Sequence, residues 1–276
     1  MNRKKLRQSV EKAVAKASFS LRKDVINSLK SAYLNEKNKL SRKALNWIIK
    51  NAQIAKANNL AICQDTGLPI VFIEVGKDIT ISSDIIDEIK IAVESSYKKN
   101  YLRQSIVDPL NRNKPSYNNG VICHVDFSSK IKGLHITVFP KGFGCENKSR
   151  LKMFNPTVGL KEIEDFLLES VKEAGPEACP PFVVGVGIGG TSDFALFMAK
   201  KALLEKINKK NPDPQLDILE RKILKKINSL GIGPMGFGGK ATCLAVKIKK
   251  APTHIAGLPI GVNISCHALR SSCILI

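Results

Sequence analysis

Seven cysteines, at positions 63, 123, 145, 179, 243, 266 and 273, are the residues in this chain best suited to unusual chemistry. Their odd number and wide spacing argue against a disulfide framework and for reduced thiols or metal ligation. No CxxC pair occurs, so a zinc finger or ribbon is disfavoured. Local context sorts the seven. Cys123 and Cys243 lie inside apolar, strand-like runs, where a small buried thiol is the ordinary reading. Cys273 lies in a terminal stretch expected to fray. Cys63 in ICQDTG, Cys179 in ACPPF and Cys266 in NISCHALR sit where strands or turns give way to loops. A loop can aim a thiolate at an iron–sulfur cluster, and a neighbouring proline without an N–H alters the polarity around it. Spacing alone leaves cluster ligation as one option beside ordinary free thiols.

The elements that must position these residues follow from periodicity. The first sixty residues read as helices, with Val10, Val14 and Ala17 on one face and Leu40, Leu45, Ile48 and Ile49 on another. A turn at Asp65-Thr66-Gly67 leads into the strand PIVFIEVG. Ser82 or Ser83 is placed to cap a helix through IIDEIKIAVESSYKKNYL, ending near Arg103, with Asp84, Asp87 and Glu88 near its positive end. The runs VICHVDF and GLHITVFP, separated by SSKIK, suggest an antiparallel hairpin. After the loop KGFGCENKS come a helix at LKEIEDFLLESVKEA, a strand FVVGVGI, helices at FALFMAKKALLEK and LDILERKILKKI, and strands TCLAVKIK and PIGVNISC. No repeat or Ser/Gly linker interrupts this order. The reading is therefore a single mixed α/β domain over 1–276, with a helical N-terminal region at 1–58 and an α/β core at 59–276.

Two glycine loops imitate nucleotide sites. Gly185, Gly187 and Gly190 in GVGIGG follow a strand and open a helix, but no acidic residue stands at the tip of the next strand, as dinucleotide binding requires. Gly231, Gly233 and Gly236 in GIGPMG follow a helix, and the P-loop likeness of GPMGFGGKAT fails at Pro234 and Ala241. Tight turns and close backbone approach are the plainer reading of these glycines.

The formal charge of +20 raises the question of nucleic acid. Lysines dominate and sit on the polar faces of helices, as in ERKILKKINSL, rather than interleaving with aromatics. A solvated lysine-rich surface is the preferred reading, and no nucleic-acid partner is expected. No apolar run is long enough to cross a bilayer and no signal-peptide core is seen, so no membrane partner and a cytoplasmic location are expected.

Five separated segments, CQDTG, KGFGCENKS, CPPFVVGVGIGGTSDFALFMAKKALL, GIGPMGFGGKAT and PTHIAGLPIGVNISCHA, together resemble the α subunit, equivalently the N-terminal domain, of class I fumarate hydratases and L(+)-tartrate dehydratases. The likeness spans residues about 40 to 270. It implies a fold of the class I fumarase α-subunit type and a [4Fe-4S] cluster held by Cys63, Cys179 and Cys266, with one iron free of protein ligands to act as a Lewis acid. It implies further that Gln64 and Asp65 touch substrate, that Asp65 and His254 are catalytic, that Arg103 binds a substrate carboxylate, and that Gly144 offers its backbone amide. From the residues themselves, Asp65 reads more readily as a turn-former, while Arg103 can also be a helix C-terminal charge and His254 a satisfied loop residue. One departure stands out: where relatives commonly have serine in a GSEN-like stretch, this chain has Cys145, an isostere, an oxidation-sensitive thiol or a competing ligand.

The expected activity is reversible hydration of fumarate to L-malate, with L(+)-tartrate dehydration as the alternative and a nucleotide-dependent oxidoreductase using GVGIGG as the distant one. The resemblance implies a β subunit as partner, in an α2β2 assembly, and a dicarboxylate as substrate. A chain lacking that partner is expected to be inactive or nearly so.

Overall fold

The computed structural model describes residues 2–114 and 120–276. They gather into two compact units, one made of Met1–Arg22, Asn51–Phe143 and Arg270–Ile276, the other of Lys23–Lys50 and Gly144–Leu269. A chain that passes between units after Arg22, Lys50, Phe143 and Leu269 has no single linker for composition to mark. The mixed α/β class read from the sequence is what the structure shows.

In the first unit, helices α1 (Arg3–Phe19) and α4 (Asp84–Lys99) cover a four-stranded sheet. Its strands β1 (Leu68–Gly76), β2 (Ile122–Ser128), β3 (Leu134–Lys141) and β8 (Ser272–Leu275) lie in the order β2-β1-β3-β8. Asn2 caps α1 by accepting the Lys5 N–H at 3.2 Å. Leu6, Val10 and Val14, four residues apart, then share a buried stripe against Ile89, Val93 and Tyr97 of α4 and Val71, Ile73, Ile136 and Val138 of the sheet. Each such side chain contributes about 1.5–3 kcal/mol by leaving water.

Four sequence expectations are corrected in this unit. VICHVDF and GLHITVFP do not form a hairpin: β1 lies between them, parallel to β2 and antiparallel to β3. Residues Pro69 to Ile73 of β1 are all buried, which suits a strand flanked on both edges, whereas β2 leaves Phe127 74% exposed and can serve only as an edge. The parallel β1–β2 pair also needs a crossover, and α4 supplies it. That helix stops at Lys99 rather than near Arg103. Asn100 turns its amide back onto the Ser96 carbonyl at 2.7 Å, and Tyr101 adopts a left-handed φ of 52° that cannot continue a helix. Neither serine caps its start: Ser83 makes no side-chain capping bond, and the Ser82 hydroxyl goes to the Asp84 carboxylate. Cys273, expected to fray, is paired with Thr137 in β8.

The second unit holds α2 (Lys23–Asn35), α5 (Phe143–Glu146), β4 (Arg150–Phe154), α6 (Leu160–Ala174), β5 (Phe182–Gly190), α7 (Ser192–Ala202), α8 (Pro214–Ser229), β6 (Cys243–Thr253) and β7 (Leu258–Ser265). Helix α3 (Lys39–Asn58) runs through the boundary at Lys50, and α5 begins on Phe143, the last residue of the first unit's middle segment. The sheet order is β4-β7-β5-β6. Strand alternation splits β5 cleanly. Val184 and Val186 join the core with Phe166 and Leu167 of α6 and Ile223 and Ile227 of α8, while Gly185 and Gly187 turn to α7. A Cβ on Gly185 would lie 2.0 Å from the Ala199 carbonyl oxygen, and one on Gly187 2.0 Å from that of Ala195. These glycines are thus spent on bringing α7 against the sheet. The short strands β4 and β8, which sequence periodicity did not reveal, are partly exposed edges with little apolar signal. Among the described residues, no helix is long and apolar enough to cross a membrane.

Candidate functional site

The Cys63–Gly67 segment of the first unit is a turn gripped by its surroundings. The Asp65 carboxylate accepts the Gly67 N–H through Oδ1 at 3.0 Å and the Phe143 N–H through Oδ2 at 2.8 Å. Gly67 takes a φ of 80°, and a Cβ there would stand 2.7 Å from the Pro140 carbonyl carbon, so only glycine fits. The buried Thr66 hydroxyl donates to the Arg103 carbonyl at 2.6 Å, and the Tyr97 hydroxyl donates to the Thr66 carbonyl at 2.9 Å. Arg270 donates from Nη2 to the Asp65 carbonyl. The Ile62 N–H and carbonyl, just before the turn, bond to the Ser18 carbonyl and the Asn51 side chain. The backbone is fixed while the side chains of Cys63, Gln64 and Arg103 stay exposed. Asp65 is the turn-former its sequence suggested. Arg103, four residues past the end of α4, is not a helix-terminal charge; Lys98 and Lys99 fill that place.

In the second unit, a 3₁₀ turn at Pro176–Ala178 delivers Cys179 in a left-handed conformation, φ 53°, with its N–H on the Pro176 carbonyl at 3.0 Å. His267, which follows Cys266, donates its backbone N–H to the Cys179 carbonyl at 3.3 Å. The same carbonyl lies 3.0 Å from His267 Nδ1, a bond made by the tautomer protonated there. One histidine therefore ties the loops carrying Cys179 and Cys266, and both thiols remain partly exposed. The buried Cys145 donates its S–H to the Ala178 carbonyl at 3.2 Å, bracing the turn that presents Cys179. Beside it, Glu146 is held by Lys200 and by the buried Asn263, whose amide also reaches Ser149.

Gly144 stands in the open, with nothing within 4 Å of a Cβ built upon it, which leaves its backbone approachable. His254 is exposed on the β6–β7 connection. Its Nδ1 accepts the Ala256 N–H at 3.2 Å, so the neutral ring carries its proton on Nε2. The thiols set aside by context behave as expected: burial pushes Cys123 up to about 11 and Cys243 up to about 12, so both stay protonated at neutral pH. Cys63, Gln64, Asp65 and Arg103 thus belong to the first unit, and Gly144, Cys179, His254 and Cys266 to the second. Within neither unit, among the described residues, do three or more His, Cys, Asp or Glu side chains gather as metal ligands would.

The glycine loops are absorbed by packing. At the start of α7, Asp193 is held below the usual carboxylate range by the Thr191 hydroxyl and by the helix's first amides, so the anion-seeking end already has its own anion. In the GIGPMG loop, a Cβ on Gly233 would lie 1.5 Å from the Gly238 oxygen. The buried Glu36 carboxylate closes that loop, accepting the N–H groups of Lys37, Asn38, Lys240 and Ala241 at 2.8–3.3 Å. Sequence reasoning missed Glu36, Arg270 and His267. Only the position of the last two, inside NISCHALR beside Cys266, hinted at them.

Comparison with known proteins places the chain in a family. The fumarate hydratase (Fumerase) family profile matches residues 7–274. A protein of Methanocaldococcus jannaschii, provisionally named an L(+)-tartrate dehydratase subunit alpha, is 43% identical over 272 residues, covering 96% of this chain and 95% of its own length. The L(+)-tartrate dehydratase subunit alpha of Escherichia coli K12 is 29% identical over 275 residues, 99% of this chain and 91% of its own, and that of Shigella boydii is equally similar. The chain belongs to the fumarate hydratase (Fumerase) family, a family of hydro-lyases.

Proposed function

We propose that this chain is the cluster-binding α subunit of a hydro-lyase that removes water from a hydroxy-dicarboxylate, with L(+)-tartrate as substrate ahead of the fumarate–malate pair. Family membership supports the reaction class, and the names of the relatives favour tartrate over the fumarate that sequence motifs put first. Those names are of alpha subunits, which supports a β subunit as partner, in the α2β2 assembly the resemblance implies. The observation that carries the reading is the pairing of the Cys179 and Cys266 loops through His267, with both thiols partly exposed, alongside a rigid turn that presents Cys63.

These three thiols fit an iron–sulfur group by donor chemistry, since soft thiolates are its ordinary ligands. When bound through three protein thiolates, a [4Fe-4S] cluster supplies Lewis acidity at its remaining iron, where a substrate hydroxyl can be made a better leaving group. The chain's other groups bind and orient. Arg103 takes a carboxylate with its planar fork, Gln64 and the Gly144 amide hydrogen-bond the substrate, and His254 donates from Nε2. Asp65, both of whose oxygens are already engaged, serves proton transfer by orienting the group that carries it out.

The test is anaerobic reconstitution of the full chain and its partner with iron and sulfide. Cys63→Ala, Cys179→Ala and Cys266→Ala are each expected to lose most of the bound iron, while Cys243→Ser keeps it. Full iron in all three alanine variants overturns the ligand set. L(+)-tartrate is expected to turn over faster than L-malate; the reverse order restores the fumarate reading.

A further inference from the structure

Arg270 is only 4% exposed, and it is the one arginine in the buried class among the described residues. Among the described residues its guanidinium makes a single hydrogen bond, from Nη2 to the Asp65 carbonyl, and meets no carboxylate. The neighbouring acid does not serve it, because both Asp65 oxygens are taken by the Gly67 and Phe143 amides. A buried charge without a counter-ion is costly, and folded proteins avoid one unless something pairs with it.

The remaining nitrogens of this guanidinium are not sealed. Among the described residues, the buried side-chain atoms without a hydrogen-bond partner are Ser18 Oγ, Arg150 Nη1, Glu164 Oε1 and Asn263 Oδ1, and none belongs to Arg270. Arg270 Nε and Nη1 therefore still reach solvent through the small surface left to the residue. A fixed, planar, cationic edge thus opens beside the turn that carries Cys63, Gln64 and Asp65.

We propose that Arg270 is a carboxylate-binding residue of this site, taking one carboxylate of the dicarboxylate substrate through those free N–H groups while its Nη2 stays anchored on the Asp65 carbonyl. Arg103 is exposed, whereas Arg270 is pre-organised by burial and loses little freedom on binding. The assignment rests on the hydro-lyase reading for the identity of the anion, though not for the existence of an uncompensated guanidinium.

The experiment measures L(+)-tartrate affinity by calorimetry for the reconstituted full chain with its partner, beside Arg270→Gln, which keeps a donor for the Asp65 carbonyl, and Arg270→Lys. Arg270→Gln is expected to weaken tartrate about 10- to 100-fold, as loss of a charge-assisted hydrogen bond would, with bound iron unchanged, and Arg270→Lys to recover part of the loss. Tartrate affinity within twofold of wild type overturns the proposal. So does iron loss in parallel with affinity, which would make Arg270 a support for the turn alone. A second measurement needs no variant: phenylglyoxal modification of Arg270, followed by mass spectrometry, is expected to slow when tartrate is present, and unchanged modification overturns the proposal. Iron content and turnover judge the hydro-lyase reading separately. An enzyme that holds iron and dehydrates tartrate while Arg270→Gln binds normally sinks only this inference; tartrate protection of Arg270 in a protein without iron or turnover sinks only the reaction.

Discussion

Charged side chains hold the Cys63–Gly67 turn, where the Asp65 carboxylate takes two backbone amides and Arg270 takes a backbone carbonyl. The Cys179 turn draws instead on His267, the Cys145 thiol and the Met235 N–H on the Pro180 carbonyl at 2.9 Å, with an exposed ion pair, Glu177 to Lys148, at its surface. Behind it lies a sheet whose fit to α7 depends on glycines without side chains. The two regions present similar thiols by different physics. The first should be fragile to loss of charge, the second to added volume.

The largest expected effect is steric. Gly187→Ala puts a methyl 2.0 Å from the Ala195 oxygen, and α7 can yield only by leaving the sheet. Overpacking of this kind costs about 3 kcal/mol. Urea unfolding followed through Trp47, the single tryptophan and a residue of the second unit, should show the loss; an unchanged midpoint would mean that the glycine contact is not needed.

Removing charge from the first region should cost somewhat less. Asp65→Ala strands the Gly67 and Phe143 amides, worth about 2 kcal/mol together once desolvation is counted, and Asp65→Asn, which keeps one acceptor, should lose about half of that. Hydrogen exchange at those two amides is the direct readout. Equal protection in all three proteins would show that the carboxylate does not hold the turn.

The smallest effect marks where the contrast stops, because the second unit buries charges of its own, among them Glu36, Glu164 and the Glu220–Lys247 pair. Burial alone would push the Glu164 carboxyl up, but Lys222 and Lys226, each in contact with it, outweigh burial and hold it below the usual carboxylate range. A lowered folded value means that its stabilisation is complete above the unfolded glutamate value of about 4.3 and is lost as pH falls through the folded one. Thermal unfolding between neutral and acid pH should therefore slope less in Glu164→Gln than in wild type. Parallel slopes would remove Glu164 from the acid response.

Much of the fold was legible because burial follows periodicity. Val10, Val14 and Ala17 named the buried face of α1, and the apolar context of Cys123 and Cys243 identified them as inert thiols. What failed were inferences about pairing. VICHVDF and GLHITVFP are neighbours in sequence, yet β1 separates them, since the better-buried strand takes the centre. The end of α4 failed for a local reason: the Asn100–Tyr101 backbone departs from the helix where side-chain periodicity still permits it.

The sequence by itself determined the thiols, the Asp-Thr-Gly turn, the glycine loops and the family they compose, because each is written in contiguous residues whose local conformation follows from their types. Only the tertiary structure decided what holds those segments. Arg270 meets Asp65 across 205 positions and His267 meets Cys179 across 88, contacts with no period or motif to announce them. A buried arginine without a counter-ion is a property of packing, visible only once burial and partners are both known.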